Sequence, residues 1–352
     1  MLTWFKRQGT APIGVDVGTR FVKMVQFSSD RTRVLAAGRW EIPPAPAKTS
    51  TQEQTQRTAE TLKRGLRERP FVGRDVVLCL SDKQLVLQNV RVSKVGGPDL
   101  DRAVAQEIAG RVPFPVEETE LRYVESVDVR QGDTLLREII VFACHRPVLA
   151  QALEMIELAE LRPVAVDVEP AALARNYASQ CRRGDDLKQR ALVVHVGFAR
   201  TAAVITQGDE MLFVKYIDIG GTQFDAAVAR HLNMEPSEAA ALRRSHGDRR
   251  SDLQDPDVVR SVTEATRPIV ERLAQELAMC VRYHSVTFRG QPLARCVIGG
   301  GEASPQLAES LTKLLTLPCE VSDPFRLYPT GSHLGRKGTW DVAVGLALRD
   351  LN

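Results

Sequence analysis

Asp16, Gly18 and Thr19 stand together at a turn in the run DVGTRFVKMV. These residue types have the chemistry to seat a phosphate: glycine lets the backbone approach the anion, the turn amides point at it, and the carboxylate faces a hydrated magnesium ion. A simple hairpin turn uses the same residues. A second turn of this kind begins at His195 in HVGFARTAAV, where Val196 and Gly197 repeat Val17 and Gly18 ahead of an apolar return strand. Gly299, Gly300 and Gly301 precede a helix and suit either the close approach of a purine or a bare change of direction. Glu169, beside Pro170, suits the first turn of a helix, where an acidic residue is favoured.

The elements that must hold these residues follow from hydrophobic spacing. Ile13 to Val17 and Phe21 to Phe27 read as two strands of a hairpin, and Ala191 to Val196 with Thr201 to Thr206 repeats the pattern half a chain away. One α/β unit is thus expected twice. Between the copies, Pro43 to Gln56 reads as an exposed loop entering a helix that carries Ala59, Leu62 and Leu66. A strand at Asp75 to Leu80, a helix with Leu100, Val104 and Ile108 on one face, and strands at Leu121 to Val129 and Leu135 to Ala143 read as an inserted strand-and-helix module, the helix stopping before Pro113. Later come a helix after Gly220 and Gly221, and a long helix from Val258 to Tyr283 with Pro268 as a start or kink. The strand Arg295 to Ile298, a helix from Pro305 to Leu317 and a closing helix from Asp341 to Asp350 complete the chain.

The composition excludes several classes. With 352 residues, 43% of them hydrophobic, the chain is long enough for two lobes around sizeable cores. Forty-seven basic against 44 acidic residues leaves a net charge of +3, too small to imply a nucleic-acid partner. The cysteines at 79, 144, 181, 280, 296 and 319 form no CxxC pair and no zinc spacing, so they read as reduced, mostly buried residues. No apolar run approaches a membrane span, and Lys6 and Arg7 are followed by Gly9, Thr10 and Pro12 in place of a leader's apolar core. The expected compartment is the cytoplasm.

Taken in order, the two turns, the VEP segment, the GGG turn and the final helix resemble the actin-like ATPase superfamily. Asp16 to Lys23 matches its first phosphate motif, His195 to Thr201 the second, and Ile298 to Glu302 the adenosine motif. Val168 to Pro170 and Ala343 to Leu348 match the connecting helices. Within it, QEIAGRVPFPVEE from Gln106, LAELRPVAVDVEPAALAR from Leu158, IDIGGTQFDAAVA from Ile217, EAAALRRSHG from Glu238 and DVAVGLALR from Asp341 look like the PilM family of type IV pilus assembly.

The resemblance implies a two-lobed actin-like fold, a duplicated RNase H-like α/β unit with an inserted small α+β subdomain. Residues 1–74 and 146–190 would form the first lobe, closed by 336–352. Residues 75–145 would form the insert, and 191–335 the second lobe. It implies ATP as ligand at Asp16, Gly18, Thr19, Lys23, His195, Gly197, Thr201, Arg243, Gly299 and Gly300. Magnesium would sit against Asp16 through water, and Glu169 would orient an attacking water. Two departures weaken hydrolysis. His195 stands where the family usually has Asp, and Ala239, Ala240 and Arg243 stand where it has Ala-Glu followed by Lys. Ala240 has no side-chain acceptor for a ribose hydroxyl. Arg243, Arg244, Arg249 and Arg250 otherwise read as a solvated face.

The implied role is a cytoplasmic nucleotide-binding scaffold, with at most slow ATPase activity, in a type IV pilus or related type II secretion inner-membrane complex. Its insert would grip the N-terminal cytoplasmic peptide of a PilN-like bitopic protein. Other machinery components would bind as well, and the membrane would be met only through partners. The alternatives are a small-molecule kinase of the same superfamily, which needs a base for its acceptor, and an FtsA-like division filament protein. The latter usually carries a membrane helix after the last connecting helix, whereas this chain stops at Asn352.

Overall fold

The computed structural model describes residues 10–44, 46, 49–94, 96–181, 184–248, 255–288, 291–329 and 334–351. Arg249, Arg250 and the opening segment with Lys6 and Arg7 lie outside the described residues.

Strands β1 (Ile13–Val17), β2 (Phe21–Phe27) and β3 (Val34–Glu41) form an antiparallel meander. Helix α1 (Thr51–Glu68) follows, started by a capping box in which the Ser50 hydroxyl accepts from the Glu53 amide and the Glu53 carboxylate accepts from the Ser50 amide. Strand β4 (Asp75–Leu80) then pairs parallel with β1. This corrects the expected insert boundary at residue 75: an isolated apolar strand does not reveal its partner, and this one belongs to the first lobe.

The inserted sheet consists of β5 (Val86–Ser93), β6 (Thr119–Gln131) and β7 (Thr134–His145), in the order β5-β7-β6, with α2 (Pro98–Ile108) between β5 and β6 in sequence. Leu100, Val104 and Ile108 of α2 cover Val90, Val92, Ile139 and Val141 on one face of this sheet. The other face leans on the second half of the chain.

After α3 (Arg146–Leu158), β8 (Arg162–Val168) completes the first sheet, and its chain turns directly into α4 (Glu169–Ser179). The short α5 (Gly184–Lys188) leads to the second unit. This contains β9 (Arg190–Val196), β10 (Thr201–Gln207), β11 (Glu210–Ile217), α6 (Gly221–Leu232), α7 (Pro236–Asp248), α8 (Pro256–Thr287), β12 (Leu293–Gly299), α9 (Pro305–Leu315), β13 (Cys319–Val321) and α10 (Asp341–Ala347). Pro268 neither starts nor ends α8, which runs through it from an Asp255 cap.

The two large sheets have strand orders β3-β2-β1-β4-β8 and β11-β10-β9-β12-β13. In each, the first three strands in sequence are antiparallel and the last two join in parallel, so one topology occurs twice. The core strands read as unbroken apolar runs because both sheet faces are covered. In the first sheet Val22 and Met24 face α1 and α3, while Val25 and Phe27 face α10. In the second, Leu192, Val194 and Ile205 face α8 and α9. Leu173 of α4 and Leu346 of α10 share a third core with Val77, Val193, Val204 and Val297, so these two helices lie between the sheets. At Gly345 a Cβ would stand 1.9 Å from the Ala172 carbonyl oxygen, so only glycine lets α10 and α4 cross so closely.

The insert is fastened across the lobes. Its Asn89 amide donates to the Val214 carbonyl at 2.9 Å, its Ser126 hydroxyl donates to the Leu212 carbonyl at 2.8 Å, and its buried Glu138 accepts from Tyr283 and pairs with Arg91. Ile140 and Phe142 of β7 enter the core between the large sheets.

Candidate functional site

The duplicated strands deliver two matching turns to one cleft. The Gly18 amide donates to the Phe21 carbonyl at 2.9 Å, and the Gly197 amide donates to the Arg200 carbonyl at 2.9 Å. Two residues before each glycine stand Asp16 and His195, which are therefore equivalent positions of the repeat. Asp16, Gly18, Thr19, Lys23, Glu169, His195, Gly197 and Arg243 all border a cleft of about 950 Å³. Eight of the eleven residues expected at the site thus border this one cleft; Thr201, Gly299 and Gly300 do not.

At the floor, Lys23 Nζ lies 2.8 Å from Asp16 Oδ2, the two residues being direct partners across β1 and β2. Burial alone would lower the Lys23 ammonium; the charge and hydrogen bond of Asp16, with Asp341 behind them, outweigh it and raise the lysine above its ordinary value. His195 lies between two carboxylates at helix starts. Its Nδ1 is 3.0 Å from Asp341 Oδ2, and its Nε2 is 3.5 Å from Glu169 Oε1. Burial opposes charge on the ring, but Asp341 and Glu169 prevail and bring it up to about 9. Glu169 is pushed up to about 7, chiefly by burial, with Asp16, Asp82 and Asp341 adding to that rise and His195 opposing it.

Asp341 was missed by sequence reading, and the fold seats it against Gly299. A Cβ on Gly299 would meet Asp341 Oδ2 at 1.8 Å, so this glycine makes room for the carboxylate that reaches His195. Gly300 has φ +94° and a Cβ there would stand 2.3 Å from the Val196 carbonyl oxygen. The first two glycines of GGG therefore serve the chain, and of the three it is Gly301 that borders the cleft. Thr201 likewise lies away from the cleft: it is buried, and its hydroxyl donates to the Ile219 carbonyl at 2.6 Å.

Arg243 is not on a solvated face. Its side chain is 14% exposed, and it pairs with Asp225 at 2.7 Å and Glu302 at 2.6 Å while lying over Phe224. The neighbouring carboxylates were not visible at helical or strand spacing, because they come from α6 and from the turn after β12. Arg20, also overlooked, lies over both Phe21 and Phe198 and so spans the two turns; among the described residues it has no carboxylate partner. Burial, then Arg244, holds its guanidinium below the usual value.

Among the described residues ten lysines and arginines border the cleft against five carboxylates, an excess that draws anions. The arrangement does not fit a hydrated divalent metal. Asp16 is tied to Lys23, a ring replaces the second carboxylate, and that ring occupies Asp341 and Glu169. Among the described residues no group of three or more His, Cys, Asp or Glu is disposed to hold a metal ion. Also among the described residues, no helix is long and apolar enough to cross a membrane.

Comparison with known proteins places this geometry. The family described as type IV pilus assembly protein PilM matches residues 14–351. A solved PilM–PilN type IV pilus biogenesis complex contains a chain similar at 25% identity and TM-score 0.78, covering 97% of this chain and 99% of that one. The ethanolamine utilization protein EutJ from Carboxydothermus hydrogenoformans is similar at 14% identity and TM-score 0.56, covering 96% and 89%. An archaeal actin homolog, Ta0583, is a more distant likeness at 13% identity and TM-score 0.47, covering 96% and 98%. The fold is the two-lobed actin-like α/β fold.

Proposed function

The chain belongs to the family of the type IV pilus assembly protein PilM, and we propose that it is a cytoplasmic nucleotide-binding scaffold of a pilus inner-membrane complex or of a related type II secretion complex. Its partner on this reading is the N-terminal cytoplasmic peptide of a PilN-like bitopic protein, held by the inserted module, and the membrane is met through such partners. The similar solved chain, which matches nearly end to end, comes from a PilM–PilN complex.

The observation that carries the nucleotide half is the pair of equivalent glycine turns opening on one cleft with an excess of basic side chains. The Gly18 and Gly197 amides close their own turns, so the phosphates would be met by the rest of these turns together with Lys23 and Arg20, and Gly301 and Arg243 would border the nucleoside. Arg243 is held by Asp225 and Glu302, and the Glu302 carboxylate, which borders the cleft, could take the place of the acceptor that Ala240 lacks. Glu169 would have to orient water for hydrolysis, yet its carboxylate faces His195. A base engaged by a cationic ring is a weak base toward water, so turnover would be slow or nil.

Calorimetry on the full chain tests both halves. ATP and a peptide copied from the PilN-like partner should each bind at one equivalent, with phosphate release slow or nil. No heat with the peptide would refute the scaffold reading. Phosphorylation of a metabolite by ATP would favour a kinase.

A further inference from the structure

We infer that the cleft takes a nucleoside triphosphate without a divalent cation, because the floor carboxylates already face Lys23 and His195 while Arg20 and Arg39 on the wall supply positive charge that no carboxylate among the described residues offsets. This rests on the nucleotide reading above and deepens it.

Two acidic positions of a repeated turn would flank a metal symmetrically. Here the repeat is kept in backbone and broken in charge: Asp16 is neutralised by Lys23 at 2.8 Å, and its equivalent is His195, which faces Asp341 at 3.0 Å and Glu169 at 3.5 Å. All five side chains are at most 17% exposed. A dication entering this floor would find each carboxylate already facing a basic group, and would have to displace one of them from a poorly solvated site. The wall above carries more basic groups. Arg20 reaches across from the first turn to Phe198 of the second, and Arg39, next to Lys23 in the register of β2 and β3, lies over Phe21. Neither has a carboxylate partner among the described residues. The metal-free triphosphate is the more negative form of the ligand, and this cleft is the better matched to it.

The experiment is calorimetric titration of the full chain with ATP, in EDTA and in magnesium chloride at equal ionic strength. The dissociation constants of the wild-type chain should agree within about threefold. An affinity weaker by about tenfold or more in EDTA would overturn the inference while leaving the nucleotide reading standing. No binding in either buffer would overturn the nucleotide reading itself. His195→Asp should lose about tenfold or more in EDTA and recover with magnesium; a variant matching wild type in both buffers also overturns the inference. His195→Asn guards against misfolding of the four-carboxylate variant. It should lose affinity in EDTA without magnesium rescue, and unchanged affinity would count against a charge role for the ring.

Discussion

Asp341 Oδ2 stands 3.0 Å from His195 Nδ1, so that the first residue of α10 and the penultimate residue of β9 meet across 146 positions of chain. Asp341 also accepts from its neighbour's amide, Val342 N, at 3.0 Å, which fixes the carboxylate toward the ring.

Asp341→Asn keeps the shape and removes the charge. It leaves a buried imidazolium with Glu169 alone, and breaking a buried pair in this way costs about 3–5 kcal/mol. Denaturant unfolding should show a loss of that order, and a double-mutant cycle with His195→Asn should show strong coupling. A loss below about 0.5 kcal/mol would mean that the pair is solvated in solution.

Stability should fall as pH rises from about 5 to about 9. His195 faces Asp341, Glu169 and Lys23, and its folded value of about 9 exceeds the unfolded 6.5, so its contribution is complete below 6.5 and is lost as pH climbs through 9. Glu169 faces His195, Asp16, Asp82 and Asp341, and its rise from 4.5 to about 7 means that the native state favours the protonated acid. That contribution is present below 4.5 and is lost as pH rises through 7. A tenfold change in a group's proton affinity corresponds to about 1.4 kcal/mol at most. Unfolding at pH 6, 7.5 and 9 should show a steeper decline for wild type than for His195→Asn; parallel declines would contradict the assignment.

Gly300→Val and Gly301→Ala should separate chain geometry from ligand geometry. The first forces a side chain onto the Val196 backbone at a left-handed φ, so soluble yield and thermal midpoint should drop with or without ATP. At Gly301 a Cβ meets nothing within 4 Å, yet the residue borders the cleft. That variant should unfold like wild type and differ in ATP affinity. The reverse pattern would place the ligand elsewhere.

Deleting residues 84–144 should not leave a sound body. Ile140 and Phe142 would leave the core between the sheets, and the Leu212 and Val214 carbonyls would lose Ser126 and Asn89. Each large core side chain is worth about 2–5 kcal/mol. The deletion product should aggregate or unfold without a cooperative transition; a cooperative product with wild-type midpoint would show that the insert is only tethered.

The strands around the two glycine turns were legible because apolar runs and Val-Gly turns are local signals: the expected Ile13 to Val17 and Phe21 to Phe27 coincide with β1 and β2. The pairing of β4 was not, since its apolar run gives no sign of which neighbour it will find. The departure at His195 was visible, while its partner was not: Asp341 reads as an acidic helix start until the fold lays α10 beside β9. Arg243 was misread as solvated for the same reason, its acceptors Asp225 and Glu302 lying 18 and 59 positions away.

Helix α10 covers Val25, Phe27 and Ala37 of the first sheet, although more than 300 residues separate it from β2. During synthesis from the N-terminus at about 5–20 residues per second, that apolar face waits roughly 15–60 s for its cover. Through that interval the nascent chain exposes a sticky sheet, and His195 of the cleft lacks its Asp341 partner. A chain cut short before α10 would be both a chaperone client and unable to form the His195 pair, because the closing helix supplies the cover and the carboxylate together.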